Sequence, residues 1–195
     1  AVEGSPADCV LAGLNDLLPE PPGLVLSGVN KGNNSAENAV YSGTIGATME
    51  AALAGIPAIA MSQFYGPENA ALDNSFEASA GHGVAAVKAC LQAGFTRAHD
   101  YALFYNVNFP PVPVTGVLGM KSVAQGYRGD GAFGAHATNA PNGRKFLFMH
   151  GRPQQAPTQE GTDAAANLAG YVSITPMRAD LTAHDQLGHL AHILG

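Results

Sequence analysis

Three short apolar runs most constrain what this chain can fold into: LVLS at 24–27, AIAMS at 58–62 and ALFYNVNFP at 102–110. Continuous apolar runs of that length suit strands covered on both faces, as in a parallel sheet. Helical spacing fills the intervals between them. Ser42 or Thr44 can cap a helix running to about Ala54, with Gly55 as its stop and Pro57 beyond. Phe76, Ala80, Val84, Val87 and Leu91 recur at the spacing of a further helix, closed by Gly94. Ahead of the first run, SPADCVLAGLNDLL (5–18) opens with Ser5 as N-cap, Pro6 at the first helical position and Asp8 at capping-box distance. Strand, helix, strand, helix, strand is the pattern of an α/β domain.

Beyond Pro113 the pattern loosens. Val114–Ala124, Arg144–His150 and Tyr171–Thr175 read as strands, and the glycine-rich GYRGDGAFGAHATNAPNG between the first two reads as loop. Thr182 and Asp185 have capping-box spacing for a last helix with Leu187, Leu190 and Leu194 as its apolar stripe. Its histidines, His184, His189 and His192, fall opposite that stripe, on a solvated face.

A net charge of −6 argues against a nucleic-acid polymer as partner, because phosphate backbones call for a basic footprint. No apolar run reaches the roughly 18 residues of a membrane span. Cys9 and Cys90 each lie in an apolar helical stretch and read as small buried hydrophobes. A cytoplasmic protein is the expectation.

The chemistry concentrates after the first run, in SGVNKGNN (27–34) and then YSGT (41–44). Ligands of open α/β sheets sit beyond the carboxyl ends of the strands. A helix start there offers unpaired N–H groups and a positive dipole end, which is what a phosphate needs. Asparagine adds a neutral oxygen for a hard cation or an NH2 for a phosphate oxygen. The same residues also make turns and caps, and spacing alone does not choose between the two.

The motifs themselves carry a resemblance. GSPADCVLAGL, LVLSGVNKGNN and VYSGTIGATMEAALAGIPAIAMS, then NVNFP, EGTD and GYVSITPMRADLTAH, resemble in order the SurE family of metal-dependent nucleoside monophosphate phosphatases. The likeness covers most of the chain and is poor over 114–159. It implies a Rossmann-like three-layer α/β core with a mainly parallel sheet over 1–113, lacking the family's first strand and helix. A β-rich extension would follow over 114–170, and a C-terminal strand and helix over 171–195 would exchange between subunits of a homodimer or tetramer. By position, the resemblance makes Asn30 a ligand of Mg2+ or Mn2+, and Asn34, Ser42, Gly43 and Thr44 the lining of the phosphate site. It places the family's other ligands, an Asp-Asp pair and a serine, upstream of Ala1. Residues 1–195 alone are therefore expected to be inactive, since one neutral amide does not hold such ions without carboxylates.

Departures from the family pattern fall at Ala36, where the family has Gly, and at Asn38, where it has an acidic residue; Glu37 keeps its charge. Ala36 is costly if the backbone there needs a positive φ. Asp73, Asp130 and Asp163 have no spacing that raises them above turn residues as replacement carboxylates, and His82, His99, His136 and His150 stand isolated. No G-x-S-x-G elbow follows a strand, and no G-x-G-x-x-G opens a helix. The functional expectation is a nucleotidase; its rival is a non-catalytic anion-binding module that oligomerises.

Overall fold

The computed structural model describes residues 1–98, 100–129 and 133–195. Helix α1 (Pro6–Ala12) starts as its cap demands: the Ser5 hydroxyl accepts from the Asp8 N–H, and Asp8 Oδ2 accepts from the Ser5 N–H at 2.7 Å. It continues as a wider, π-helical turn over Gly13–Leu17, so helical structure spans nearly the whole 5–18 stretch that the apolar spacing predicts. Strand β1 (Val25–Lys31) continues well past the apolar run, so Asn30 stands on the strand and not in a loop. A 3-10 turn (Ala36–Tyr41) leads to α2 (Gly43–Leu53), which stops at Gly55 with φ 79°. Strand β2 (Ala58–Gln63), a short α3 (Pro67–Ala70) and α4 (Glu77–Ala93) follow, and Gly94 closes α4 at φ 80°. A two-residue pair, β3 (Arg97–Ala98) and β4 (Tyr101–Ala102), precedes β5 (Phe104–Phe109).

The second half comprises β6 (Met120–Ser122), β7 (Phe133–Asn139), β8 (Lys145–Gly151), α5 (Asp163–Leu168), β9 (Val172–Met177) and α6 (Leu187–Leu194). Three expectations are corrected here. Val114–Gly116 is a 3-10 turn, and only Met120–Ser122 of the 114–124 stretch is strand. Part of the glycine-rich segment is strand, since β7 pairs antiparallel with β8 from Phe133↔Gly151 to Asn139↔Lys145. The last helix begins at Leu187 without a side-chain cap; Asp180 takes the Thr182 N–H instead, at 2.9 Å.

The central sheet has the order β1-β2-β5-β9-β6. β1, β2 and β5 are parallel, β9 runs antiparallel to β5, and β6 is parallel to β9. One face carries Ala58, Ala60 and Phe104 against Ile45, Ala51 and Ala52 of α2. The other carries Ile59, Met61, Tyr105, Val107 and Phe109 against Ala78, Ala86 and Cys90 of α4. This is a three-layer α/β fold with a mainly parallel sheet, stabilised by apolar burial on both faces.

Candidate functional site at the strand ends

Along the face that α2 covers, the side chains change character toward the carboxyl ends. β2 goes from Ala58 and Ala60 to Ser62, and β5 from Phe104 to Asn106 and Asn108. All three polar residues are fully buried, so each needs partners. They find them in the loop after β1. The Asn34 N–H donates to Asn108 Oδ1 (2.7 Å), Asn34 Nδ2 to Ser62 Oγ (2.7 Å), and Asn106 Nδ2 to the Asn34 carbonyl (2.8 Å). Asn108 Nδ2 closes the cluster on Asn106 Oδ1 at 3.2 Å. Asn34 thus fastens the loop to the sheet from beneath, with donors already engaged inside the protein.

A second anchor holds the next residues. Asp163, fully buried at the start of α5, accepts from the N–H groups of Ala36 (3.1 Å to each oxygen), Gly126 (2.9 Å) and Ala164 (2.7 Å). Ala36 adopts φ 50°, the left-handed conformation that its lack of a glycine made costly. Burial pushes the Asp163 carboxyl above its ordinary value, against the pull of those N–H groups and of the Arg128 guanidinium. Arg128 binds the Ser35 carbonyl (3.1 Å), Ser35 Oγ (3.0 Å) and Glu37 Oε2 (3.3 Å). Burial also raises the Glu37 carboxyl, but the Arg128 N–H, its own N–H, the guanidinium and the Gly129 N–H together hold it below the usual range.

Asn30 sits above this anchored loop. Its Nδ2 donates to the Gly32 carbonyl at 2.8 Å, which leaves Oδ1 as the atom able to face a cation. β1 carries a bulge here: Ser27 pairs with Ala60 but Asn30 with Ser62, three steps against two. The slip sets Asn30 on the same face as Ser62 and the amino end of α2. At that end Ser42 is the N-cap, its Oγ accepting the Ile45 N–H (3.1 Å) and its carbonyl the Gly46 N–H (2.9 Å). Among the described residues nothing accepts from the N–H groups of Gly43 and Thr44, the other two leading donors of the helix. Structure therefore groups Asn30, Asn34, Ser42, Gly43 and Thr44 around one end of the sheet.

The other titratable residues lie elsewhere. Asp73 is on an exposed bend, His82 contacts the Val114 carbonyl at 3.2 Å, and His136 and His150 share the β7–β8 hairpin. His184 meets Asp180 at 2.6 Å, while His189 and His192 are exposed on α6. His99 and Asp130 lie outside the described residues. Sequence reasoning missed Ser62, Arg128 and the anchoring by Asp163. The one local signal was Asn-x-Asn in NVNFP, whose period of two puts both amides on one face. Among the described residues no group of three or more His, Cys, Asp or Glu side chains could hold a metal ion. One neutral amide oxygen does not anchor Mg2+ or Mn2+, which take carboxylates, so these residues alone do not fit the ion.

A mainly parallel α/β sheet flanked by helices on both faces defines a protein of the Rossmann-like class. The family model for survival protein SurE matches residues 1–131. The 5'-nucleotidase SurE of Jannaschia sp. is 60% identical over 193 residues, covering 97% of this chain and 73% of that protein. That of Roseobacter denitrificans is 60% identical over 194 residues, covering 99% and 74%. The crystal structure of SurE from Aquifex aeolicus superposes with a TM-score of 0.77 at 34% identity, covering 99% of this chain and 74% of that one. The chain belongs to the SurE family of 5'-nucleotidases.

Proposed function

We propose that this chain forms the phosphate-holding part of a hydrolase that removes the phosphoryl group from nucleoside monophosphates, with Mg2+ or Mn2+ as the ion and Asn30 as one of its ligands. The observation that carries this reading is the convergence of Asn30 and the open Gly43 and Thr44 N–H groups at one sheet end. Those N–H groups hold phosphoryl oxygens and stabilise negative charge as it builds in the transition state. Ser42 keeps the helix start rigid, and Asn34 holds the loop in register. The two relatives, both 5'-nucleotidases, support the substrate class.

A homodimer or tetramer fits the exposed Leu187, Leu190 and Leu194 of α6 in the single chain. Two unpaired cysteines fit the cytoplasm, and among the described residues no helix is long and apolar enough to cross a membrane. The acid-poor ion site favours a second reading, an anion-binding module without turnover.

The test is phosphate release from AMP by the full-length protein with added Mn2+, alongside calorimetric binding of AMP and inorganic phosphate. Metal-dependent release that falls in Asn30→Ala supports the hydrolase. Binding without release favours the module, and absence of both binding and release rejects the site.

A further inference from the structure

The β7–β8 hairpin carries two histidines that the phosphate site does not use. The strand period of two puts His136 on one face, with Phe148 directly opposite and His150 one pair further along. The His136 ring stacks on Phe148 with centroids 5.6 Å apart and planes 21° from parallel. It stands the same 5.6 Å from the His150 ring, tilted by 44°. Diagonal neighbours across an antiparallel pair start about 7–8 Å apart, so a ring must reach across to come that close. The residue opposite His150 permits it. That residue is Gly134, where a Cβ would lie 2.8 Å from both Cε1 and Nε2 of the His150 imidazole.

The His150 ring is also held in the tautomer of a ligand. Its Nδ1 lies 3.3 Å from the Gly151 carbonyl, which only accepts, so Nδ1 carries the hydrogen and Nε2 keeps its lone pair. Imidazole nitrogens bind Zn2+ at about 2.0–2.1 Å, and a ring centre lies about 1.2 Å behind its nitrogen, so each centroid stands about 3.2 Å from the ion. Two such rings at a tetrahedral angle have centroids about 5.2 Å apart, within about 0.4 Å of the separation here. Both histidines are exposed, so water can fill the remaining positions.

We propose that His136 and His150 chelate a borderline divalent transition metal such as Zn2+, and that the ion staples the two strands of the hairpin. Imidazole selects Zn2+, Cu2+ or Ni2+ over the hard ions Mg2+ and Mn2+, which take oxygen. The pair is therefore chemically separate from the ion expected at the strand ends. The Arg152 guanidinium, whose Nε holds the Phe133 carbonyl at 3.2 Å beside Gly134, repels a cation and keeps the affinity modest. A bridging ion matters here because Phe146, Leu147, Phe148 and Met149 of β8 are all exposed. A two-stranded hairpin with so little buried apolar surface is marginal in water, and the ion adds a tie that its packing does not supply.

The experiment is equilibrium dialysis of the full-length protein against Zn2+, comparing the parent with His136→Gln, His150→Gln, the double variant and Gly134→Ala. Circular dichroism confirms that each folds, and whatever the strand-end site takes up is common to all and cancels. Either histidine substitution weakens one Zn2+ per chain at least about tenfold, and replacing both removes no second ion. Gly134→Ala keeps both ligands yet weakens the same ion, because its methyl displaces the His150 ring. Hydrogen exchange over residues 133–151 slows on adding Zn2+ in the parent and not in the variants. Histidines acting independently would each lose their own share, so that the double variant loses more than either single one. That result, or equal Zn2+ binding by parent and variants, overturns the chelating pair. Exchange unchanged by bound Zn2+ overturns the staple.

Discussion

Replacing Asp163 by Ala and by Asn separates what its geometry does from what its charge does. In the alanine variant the N–H groups of Ala36, Gly126 and Ala164 lose their acceptor, and Ala36 is fully buried. An unpaired buried donor costs about 1–3 kcal/mol. With the Ala36 and Gly126 donors enclosed and the Ala164 donor near a helix start, the sum is about 3–5 kcal/mol. The loss is sharpened because Ala36 sits at φ 50°, a conformation about 1–2 kcal/mol uphill that the carboxylate holds in place. At about 2–4 °C per kcal/mol for a chain of this size, Asp163→Ala lowers Tm by about 10 °C. Asparagine behaves differently, since Oδ1 alone already accepts from all three N–H groups. It also removes a carboxyl whose value burial has raised. A raised carboxyl contributes stability that is full below its unfolded value and is lost as pH rises through its folded one. At pH 7 Asp163→Asn therefore stays within about 1 kcal/mol of the parent, and its relative standing improves as pH rises from the acid range. Thermal melts followed by circular dichroism from pH 4 to 8 read both effects. Equal destabilisation by the two substitutions, or a loss below about 1 kcal/mol in the alanine variant, would refute the anchoring argument.

Gly28→Ala puts a methyl on the Met61 carbonyl oxygen at a residue with φ 125°, so it destabilises the fold by about 2–4 kcal/mol, measured by urea unfolding. Glu37→Gln flattens the acid limb of stability: the depressed carboxyl stabilises above its ordinary value of 4.5, and this is lost as pH falls through the lower folded value. An acid limb unchanged in the variant would remove Glu37 from the clamp on Arg128. Burial pushes the Cys90 thiol up to about 11, whereas Cys9 is half-exposed, so a thiol reagent at pH 8 labels one cysteine quickly and the second only after unfolding. Two rapid equivalents would contradict the packing of α4.

What was legible in the sequence was what local chemistry decides. The Ser5 cap, the stops at Gly55 and Gly94 and the helix start at Ser42 each depend on residues within a turn of one another. The alternation of runs and helices gave the layers. It could not give the order of the sheet, in which β9 inserts between β5 and β6. Nor could it show β7 in a glycine-rich segment, because a hairpin is decided by cross-strand partners. The site divides the same way. Asn30 and the helix start were visible as motif. The anchors were not, since Asp163 reaches Ala36 across 127 residues and Arg128 reaches Glu37 across 91.

The bulge in β1 has a consequence for how this strand tolerates change. Val25 and Ser27 keep one phase of in-and-out alternation with Ala58 and Ala60, and Asn30 keeps the opposite phase with Ser62. Core packing and ligand placement are thus written in two separate frames on one strand, joined at Gly28 and Val29. A regular strand of the same sequence would turn Asn30 to the α4 side of the sheet without altering a single residue. Losing one residue at the join, by contrast, leaves both pairings intact, so the length of this short segment matters less than where its alternation breaks.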